Sequence, residues 1–425
     1  MIQLREAQQF VINQCPPLGQ LALPLQEALD CVIGDSVVAT ESIPPFTNSA
    51  MDGYAVRSAD TVGAPVRLAV IGSIMAGQVL NEDLAPGQAA RIMTGAPVPG
   101  GADAVCMIEE TDDHDEGRSV TIRREVRRGE FVRQQGRDVG IGDVVASAGT
   151  VLSPAHLGVL ANQGVLSVLV HPHPHVGVLS TGDELYTGTG PLPPGKIRDA
   201  NRHSLLALVR REGWNVTDLG IVGDDDESLR QRLTTAASTC DAIITSGGVS
   251  VGDLDLVRVV LDDLSGRTMR WMQVAIRPAK PLAFGLLADS GTPVFGLPGN
   301  PVSAMVSFEL FARPALRAMG GHRSLHRPVV PAVTDVNLER RRDGKLHLLR
   351  ARVSLDNRGG WHVETTDGQE SHHLQSMSEA NALILLPDGS GARAGDLVDV
   401  VVLGANDLTR DGAVVTEHDR QMTMS

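Results

Sequence analysis

The chain has 425 residues and a net charge of −14. At roughly 150 residues per domain, this length predicts two to four domains. The acidic balance argues against a broad surface for nucleic acid or anionic membrane. Hydrophobic residues make up 42% of the chain but aromatic residues only 3%, which predicts cores of Val, Leu, Ile and Ala. The first residues are too polar for a signal peptide and no apolar run approaches a membrane span, so we expect a cytoplasmic protein without nucleic-acid or membrane partners.

Helical patterns open the chain and return after residue 141. Residues 2–13 and 25–31 have apolar residues at helical spacing. A third helix is predicted at Leu152–Ala161, where Ser153 is the expected cap and Pro154 stands at the first helical position. We expect these pieces to pack together as a discontinuous helical arm made of residues 1–43 and 142–172.

The intervening residues, 44–141, predict an inserted β-rich domain. Strands are predicted at Val66–Ile71, Ala104–Ile108, Ser119–Arg123 and Glu130–Arg133, between turns rich in Gly, Pro and Asp. The domain begins with Pro44–Arg57, a segment that is unusually dense in turn formers and small polar residues for a connector. Asp52-Gly53 by itself would be an ordinary turn.

The cysteines and histidines form no strong metal motif. Cys15, Cys31, Cys106 and Cys240 follow no motif spacing, which predicts buried free thiols in a reducing compartment. The run His171-Pro-His-Pro-His175 has three histidines two residues apart, but its prolines favour an extended linker that turns the histidines to opposite sides. Because neither Cys nor a carboxylate cluster accompanies them, we interpret the run as a domain boundary rather than a metal site.

Residues 173–326 alternate between strand and helix, which predicts an α/β domain with a parallel sheet covered on both faces. The predicted strands are Val176–Ser180, Asn215–Ile221, Ala242–Thr245, Ala283–Leu286 and Pro293–Phe295. The predicted helices are Asn201–Glu212, Glu227–Ala237, Leu256–Leu264 and Pro301–Ala318. Polar motifs follow the strands, at the edge where such folds bind ligands: 180–184, 223–226, 246–248 and 296–301.

The stretch from Asp241 to Asp255 has the pattern of an anion site. An apolar strand ends in Ser246-Gly247-Gly248, and Asp253 or Asp255 would cap the following helix. Backbone N–H groups and a helix N-terminus favour negative charge at such a turn. Since glycine leaves room for a ligand, we expect a side chain at Gly248 to harm binding more than folding. Gly247 and Gly252 have P-loop spacing, but Asp253 stands where that motif needs Lys.

Acidic and basic residues around the glycine turn form two separate groups. Asp183, Glu184, Asp224, Asp253 and Asp255 offer the oxygen ligands that Mg²⁺ prefers, and we assign Asp183, Glu184, Asp253 and Asp255 as its ligands. Arg277 and Lys280, stiffened by prolines, suit an oxyanion or a phosphate. There is no Ser-His-Asp order, H-E-x-x-H or C-x-x-C motif. The residues therefore predict a phosphate-bearing ligand, a divalent cation and a further anion, without identifying the ligand.

After residue 326 short strands return, which predicts a small antiparallel barrel over residues 327–404. Its strands are predicted at Lys345–Arg350, Trp361–Glu364, Ala382–Leu386 and Leu397–Leu403. Residues 405–425 are polar and aperiodic and are predicted to form a flexible tail.

Five motifs together resemble the molybdopterin molybdenumtransferase family, to which the C-terminal domain of gephyrin belongs. They are Pro44-Pro-Phe-Thr-Asn-Ser-Ala-Met-Asp-Gly-Tyr-Ala-Val-Arg57, Arg91-Ile-Met-Thr-Gly-Ala-Pro-Val-Pro99, Ser180-Thr-Gly-Asp-Glu-Leu185, Ser246-Gly-Gly-Val-Ser-Val-Gly252 and Gly296-Leu-Pro-Gly-Asn-Pro-Val-Ser303. The resemblance extends in order from residue 1 to about residue 403. It implies an enzyme that inserts molybdate into adenylylated molybdopterin and releases AMP with Mg²⁺ as cofactor.

The resemblance also implies site residues. Catalytic roles are implied for Asp52, Thr94, Asp138, Glu184, Asp224 and Asp255. With the glycine turn and the basic pair, the substrate-binding set is Ser246, Gly247, Gly248, Ser250, Arg277, Lys280, Pro298, Asn300, Arg350 and Ser371. The family usually has a basic residue where Gln273 stands, and commonly Lys-Pro-Gly-Lys where this chain has Arg277-Pro-Ala-Lys280.

The family forms elongated homodimers, so the resemblance implies a site shared between two subunits. It also implies molybdopterin adenylyltransferase as a partner. Two other functions stay open. An adenylyltransferase on the same α/β core would need ATP and would leave residues 1–170 and the barrel unexplained. A non-enzymatic scaffold, which the likeness to gephyrin allows, would leave the charged and polar residues at the strand ends unexplained.

Overall fold

The structure is a computed structural model that describes residues 1–223, 225–248, 256–356 and 358–404. The chain divides into two compact units. The first contains Met1–Leu21, Asp30–Val32 and the chain from His171 onward, and the second contains Ala22–Leu29 and Ile33–Val170. The predicted multidomain α/β fold, with a β-rich insertion and a C-terminal barrel, is confirmed.

The core of the first unit is a mixed six-stranded sheet. In spatial order its strands are Asn215–Val222, His175–Thr181, Ala242–Ser246, Pro293–Leu297, Pro281–Leu286 and Arg270–Gln273. The first four are mutually parallel, as predicted. The prediction of a wholly parallel five-stranded sheet is wrong, because Pro281–Leu286 runs antiparallel to both of its neighbours. Only residues 287–292 join it to the next strand, which is too short for a parallel crossover.

Helices follow the parallel strands, close to the predicted ranges. Asn201–Arg211 and Asp226–Ala237 each bury leucines against the sheet, and Leu256–Leu264 buries Val257, Val260 and Leu261. The Asp225 side chain caps the second helix by accepting a hydrogen bond from the Ser228 main-chain N at 2.9 Å.

The predicted helix 301–318 is interrupted by a π-helical turn. It comprises α-helix Pro301–Ser307, π-helix Phe308–Ala312 and α-helix Arg313–Met319. Because Pro314 has no N–H, the Leu310 carbonyl lacks a helical donor, and Gln8 Nε2 donates to it at 3.0 Å. Gln8 lies in helix Leu4–Asn13, whose buried Ala7 and Val11 share a core with Phe308 and Leu316. We expected residues 2–13 to pack with the other helical segments, but their apolar face packs here instead.

A buried ion cluster lies where the α/β region leads into the barrel. Glu212 lies 2.9 Å from Arg313 and 2.6 Å from Arg327, which also contacts Glu309 at 2.9 Å. The Glu309 side chain is 2% exposed. Burial alone would raise the pKa of Glu212, but the contact with Arg313 and the charges of Arg327 and Arg317 outweigh burial and lower that pKa. The Glu212 carboxylate is therefore held ionised by guanidinium groups.

The C-terminal region is a closed five-stranded barrel. Its strands are Val329–Thr334, Leu346–Leu355, Trp361–Thr365, Ala382–Leu386 and Leu397–Val402. The expectation of a wholly antiparallel barrel is wrong at one pair, since Val329–Thr334 and Trp361–Thr365 are parallel. Strand Ile276–Arg277 pairs with Leu346–His347 and joins the α/β region to the barrel. Helix Leu374–Glu379 and the paired strands Leu338–Glu339 and Gly391–Ala392 complete this region.

The second unit contains a six-stranded mixed sheet. In spatial order its strands are Ala104–Met107, Gly53–Val56, Gln88–Ile92, Val66–Ile74, Ser119–Ile122 and Thr111–His114. Three of these were predicted. The fourth predicted strand is reduced to Val132–Arg133, which pairs with Asn48–Ser49. Val37–Val38 pairs with Val144–Ala146. Short strands also occur at Leu21–Pro24, Val32–Ile33 and Ser167–His171, and Leu185–Tyr186 pairs with Ile197–Arg198 in the first unit.

The helical predictions for the second unit had mixed outcomes. Helix Pro154–Asn162 is confirmed, with the Ser153 hydroxyl accepting a hydrogen bond from the His156 main-chain N. The helix predicted at residues 25–31 is wrong, because only a 3-10 turn forms at Leu25–Glu27. Pro24 precedes that turn, and Asp30 has a φ of 60°, which a helix does not allow. Three further 3-10 turns occur at Ser58–Thr61, Ile108–Glu110 and Asp115–Gly117.

The four cysteines are buried free thiols, as predicted. Burial raises the pKa of Cys15 to about 12, so this thiol is protonated at neutral pH. Within the described ranges, no helix has the length and apolar character needed to cross a bilayer.

Candidate active site

Four polar segments meet along one edge of the α/β sheet. The parallel strands place Thr181 beside Val222, Ser180 beside Ser246, and Ser246 beside Leu297. The segments that continue from these strand ends therefore share the carboxyl edge, as the sequence predicted. Asp224, Ser250, Asp253 and Asp255 were also assigned to this edge, but they lie outside the described residues.

The glycine turn after strand Ala242–Ser246 needs glycine for reasons internal to the fold. Gly247 has a φ of 98° and Gly248 a φ of 68°, both in the left-handed region. A Cβ on Gly247 would lie 2.7 Å from the Thr181 carbonyl oxygen, and a Cβ on Gly248 would overlap the Val257 side chain. A side chain at Gly248 would therefore strain the backbone and displace Val257, a cost to folding that the sequence-based expectation left out. That binding would suffer more than folding stays a prediction.

The described acidic pair follows one strand and borders the end of the adjacent strand. Asp183 and Glu184 are exposed, directly after strand His175–Thr181. Asp183 Oδ1 lies 2.8 Å from the position of a Cβ on Gly223, the residue that follows strand Asn215–Val222. Among the described residues, no group of three or more His, Cys, Asp and Glu side chains could hold a metal ion. The pair can offer carboxylate oxygens to a cation, with further ligands from a substrate.

The histidines of residues 171–175 make separate contacts. His171 Nδ1 lies 2.8 Å from the Leu18 carbonyl oxygen, and His175 Nε2 lies 2.7 Å from the Thr217 hydroxyl. These two rings are thus engaged with different elements of the fold.

The predicted substrate residues Asn300 and Ser371 are brought together from distant parts of the chain. Asn300 Nδ2 donates to Ser371 Oγ at 2.9 Å, and the Val302 main-chain N donates to the Ser371 carbonyl oxygen at 3.2 Å. Asn300 precedes helix Pro301–Ser307, but its side chain makes no cap. Pro298, in the same loop, is buried. The contact joins the edge of the α/β sheet to the loop that carries Ser371.

Arg350 was predicted to bind substrate, but its side chain is buried. Its residue exposure is 1%. The guanidinium donates to the carbonyl oxygens of Gly368 at 2.6 Å and Glu370 at 3.1 Å, and to the Ser376 hydroxyl at 3.0 Å. Burial lowers the pKa of Arg350 to about 10, so the group remains charged at neutral pH. The guanidinium thus holds the main chain just before Ser371 and the hydroxyl of Ser376 after it.

The basic pair Arg277 and Lys280 is exposed on either side of buried Pro278 and Ala279. Ala279 has a φ of 69°, a conformation that glycine adopts without strain. Arg277 also lines a cavity of ≈ 460 Å³ that includes Arg341 and His347 of the barrel region.

Gln273 is partly exposed, and its carbonyl oxygen accepts a hydrogen bond from the Ile2 main-chain N at 2.9 Å.

The second unit carries Asp52, Thr94 and Asp138. Asp52 Oδ1 accepts hydrogen bonds from the Thr94 main-chain N at 2.6 Å and from the Thr94 hydroxyl at 2.7 Å. These bonds, chiefly the one from the hydroxyl, lower the pKa of Asp52, with a smaller effect of the Arg91 charge. Asp138 is exposed, and its main-chain N donates to the Ile43 carbonyl oxygen at 2.9 Å. The unit thus offers an ionised carboxylate held by a threonine.

Sequence reasoning missed Asn201 and Asp199 at the sheet edge. Asp199 is buried and accepts a hydrogen bond from the Ser180 hydroxyl at 3.0 Å and from Arg202 Nε at 2.9 Å. Asn201 contacts the glycine turn directly. The sequence showed Asn201 only as the start of a helix, because its contacts are with residues far along the chain.

Three family models match the chain in order. They are "MoeA N-terminal region (domain I and II)" over residues 2–164, "Probable molybdopterin binding domain" over 177–318, and "MoeA C-terminal region (domain IV)" over 338–403.

Relatives and solved structures agree with these matches. Molybdopterin molybdenumtransferase 2 of Mycobacterium tuberculosis (strain ATCC 25618 / H37Rv) is 40% identical over 396 residues, which cover 91% of this chain and 96% of that one. Molybdopterin molybdenumtransferase of Haemophilus influenzae is 36% identical over 403 residues, covering 94% and 98%. A molybdopterin biosynthesis moeA protein from Pyrococcus horikoshii OT3 superimposes with a TM-score of 0.76 at 28% identity, covering 95% of this chain and 100% of that one. The chain therefore belongs to the molybdopterin molybdenumtransferase family of enzymes.

Proposed function

We propose that the protein inserts molybdate into the dithiolene of adenylylated molybdopterin and releases AMP. Membership of the family places the protein in molybdenum cofactor biosynthesis. The observation that carries the proposed reaction is the shared edge of four parallel strands, where the glycine turn, the acidic pair and the 298–301 loop lie. Main-chain N–H groups suit a phosphoanhydride, and carboxylates suit a cation.

The proposed chemistry balances without an oxidant. Two sulfur–molybdenum bonds form, and one oxo ligand of molybdate leaves as water with the two thiol protons. Water adds to the phosphoanhydride bond, which breaks to give AMP and the pterin phosphate. Molybdenum stays at the same oxidation level throughout. The chain's own part is to hold the phosphoanhydride at the glycine turn and to present the exposed Arg277 and Lys280 to the incoming oxyanion.

Magnesium is the proposed cofactor, and the described donors fit it. Asp183 and Glu184 provide hard carboxylate oxygens after one strand and beside the end of its neighbour. Mg²⁺ is usually bound by one or two carboxylates together with substrate phosphates and water, which matches a pair of carboxylates beside a phosphate-binding turn. Bound there, the ion would neutralise charge on the phosphoanhydride oxygens.

The proposed assembly is a homodimer with sites shared between subunits. Asp52 and Thr94 lie in the second unit, whereas Asp183, Glu184 and the glycine turn lie in the first. Helix Pro154–Asn162 also supports association, because it is rich in apolar residues although only Leu160 is buried. An apolar helix with so little burial in one chain is typical of an interface.

The test is release of AMP from adenylylated molybdopterin by the purified protein. We expect release to require both molybdate and Mg²⁺, and to be lost in Glu184→Gln, which keeps the shape of the side chain but removes its charge. ATP-dependent adenylylation of molybdopterin, with no response to molybdate, would identify an adenylyltransferase instead. Neither activity in a folded, dimeric protein would favour the scaffold function.

A further inference from the structure

One side chain connects two of the loops at the sheet edge. Asn201 is the first residue of helix Asn201–Arg211. Its Nδ2 donates to Ser246 Oγ at 2.7 Å and to the Gly299 carbonyl oxygen at 2.7 Å. The Gly299 oxygen can only accept, so the amide must present its NH₂ group to this pair of loops. Both amide hydrogens are then committed, one to each loop.

The contact does not serve the helix start. The residue before the helix is Ala200, and the Arg202 main-chain N is bound by Asp199 Oδ1 at 3.1 Å. The capping role of this helix end thus belongs to Asp199. A polar side chain at a helix start is commonly a cap, but that explanation does not account for Asn201, whose two bonds both leave the helix.

The two hydrogen bonds of Asn201 connect to further contacts of the site through Ser246 and Gly299. Ser246 leads into Gly247, whose main-chain N donates to the Leu297 carbonyl oxygen at 3.1 Å. The position of a Cβ on Gly299 lies 3.9 Å from the Gly247 Cα, so the two loops are near van der Waals contact. Asn300, the next residue, donates to Ser371. A shift of Asn201 would therefore change the separation of the glycine turn from the loop that carries Asn300.

We propose that Asn201 is a positioning residue of the pterin-binding edge. It acts by fixing the distance between the Ser246–Gly248 turn and the 298–300 loop, so that both can reach one ligand. The inference rests on the proposed function, because it takes molybdopterin as the ligand of this edge. Its role is carried by the two N–H donors. A carboxylate of the same shape could accept from the Ser246 hydroxyl but cannot donate to the Gly299 carbonyl oxygen.

The experiment compares Asn201→Asp and Asn201→Ala with Asn215→Asp. Asn215 is exposed at the opposite end of the same sheet, so its variant adds the same charge away from the site. Molybdopterin affinity is measured by fluorescence titration, with the melting temperature and the KM and kcat of AMP release measured in parallel. Each net hydrogen bond contributes about 1 kcal/mol. Asn201→Ala loses both bonds, and Asn201→Asp loses the bond to Gly299 and places a carboxylate against that carbonyl oxygen, so we expect both variants to bind molybdopterin about tenfold or more weakly. We expect a raised KM, and no change in Asn215→Asp.

The outcomes separate this inference from the proposed function. Wild-type protein that binds no molybdopterin would overturn the function and, with it, this role. If the wild type binds molybdopterin and both Asn201 variants bind it with the same affinity, the inference alone is overturned. The same holds if the variants have a lower melting temperature but their folded fraction binds with unchanged affinity. If both variants fail to fold, Asn201→Ser, which keeps one donor, is measured instead. Molybdopterin binding that is weaker than in the wild type but still measurable supports the role, and an affinity equal to that of the wild type overturns it.

Discussion

Asp52 and Thr94 form a two-point contact in which one carboxylate oxygen accepts both the main-chain N–H and the hydroxyl of a single threonine. Both donors favour the ionised carboxylate, which lowers the pKa of Asp52. A folded-state pKa below the unfolded value means that this stabilisation is present above the unfolded pKa and is lost as the pH falls through the folded pKa. The contact therefore favours the charged form of Asp52 at neutral pH.

Thr94→Val should raise the pKa of Asp52, because it removes the hydroxyl donor and keeps the shape and the main-chain bond. An NMR titration of the Asp52 carboxyl carbon measures the change, and the acid limb of AMP release should move to higher pH in parallel. Thr94→Ser is the matched control, since it retains both donors. An unchanged Asp52 titration in Thr94→Val would show that the hydroxyl does not set this pKa.

Gly247→Ala should destabilise the fold by about 2 kcal/mol or more, because a left-handed alanine costs about 1–2 kcal/mol and its Cβ would also meet the Thr181 carbonyl oxygen. Gly299→Ala is the control in the neighbouring loop, where the position of the Cβ has only the Gly247 Cα within 4 Å, at 3.9 Å. We expect that control to stay within about 0.5 kcal/mol of the wild type. Urea unfolding of both variants tests the comparison, and equal stabilities would contradict it.

Arg350→Lys should lower stability by about 2 kcal/mol, because one ammonium cannot satisfy the two carbonyl oxygens and the hydroxyl that the guanidinium reaches. Activity should fall with it, through loss of the loop geometry at Ser371. Arg352→Lys, an exposed position on the same strand, should leave both unchanged. Thermal melts and AMP release measure the two effects. Full stability with lost activity would instead indicate that the Arg350 guanidinium acts on the ligand.

Mixed dimers test the proposed sharing of the site. Asp52→Ala and Glu184→Ala should each be inactive alone, whereas co-refolding should restore roughly a quarter of wild-type activity, since about half the dimers are mixed and each has one intact site. Differently tagged chains confirm that mixed dimers form. Each variant refolded with itself is the control. Confirmed mixed dimers without activity would mean that both residues serve a site within one chain.

Much of the α/β region was predictable because its signals are local. Short apolar runs such as Ala242–Ser246 and amphipathic helices between them specify parallel strands, and parallel strands bring the following residues to one edge. The antiparallel edge was within reach of the same reasoning, since residues 287–292 are too few for a crossover. Strand Gly53–Val56 was missed because its glycine and the preceding Asp52 favour a turn.

The contacts that organise the site were less predictable, because they depend on distant parts of the chain. Asn201 and Ser246 are 45 residues apart, and Asn300 and Ser371 are 71 apart. The burial of Arg350 depends on how the barrel closes around its strand. No spacing rule distinguishes an arginine that holds a loop from one that faces a ligand.

The ion cluster of Glu212, Glu309, Arg313 and Arg327 has a consequence for dissecting the chain. Arg327 directly precedes the barrel, yet both of its carboxylate partners lie upstream. A fragment that ends at residue 326 would retain two buried carboxylates with one guanidinium fewer between them, and a buried charge that loses its partner is strongly destabilising. The domain boundary that the sequence predicts between residues 326 and 327 is thus a poor point at which to truncate the chain. Fragments of the α/β region should be designed to include Arg327 and the strand that follows it.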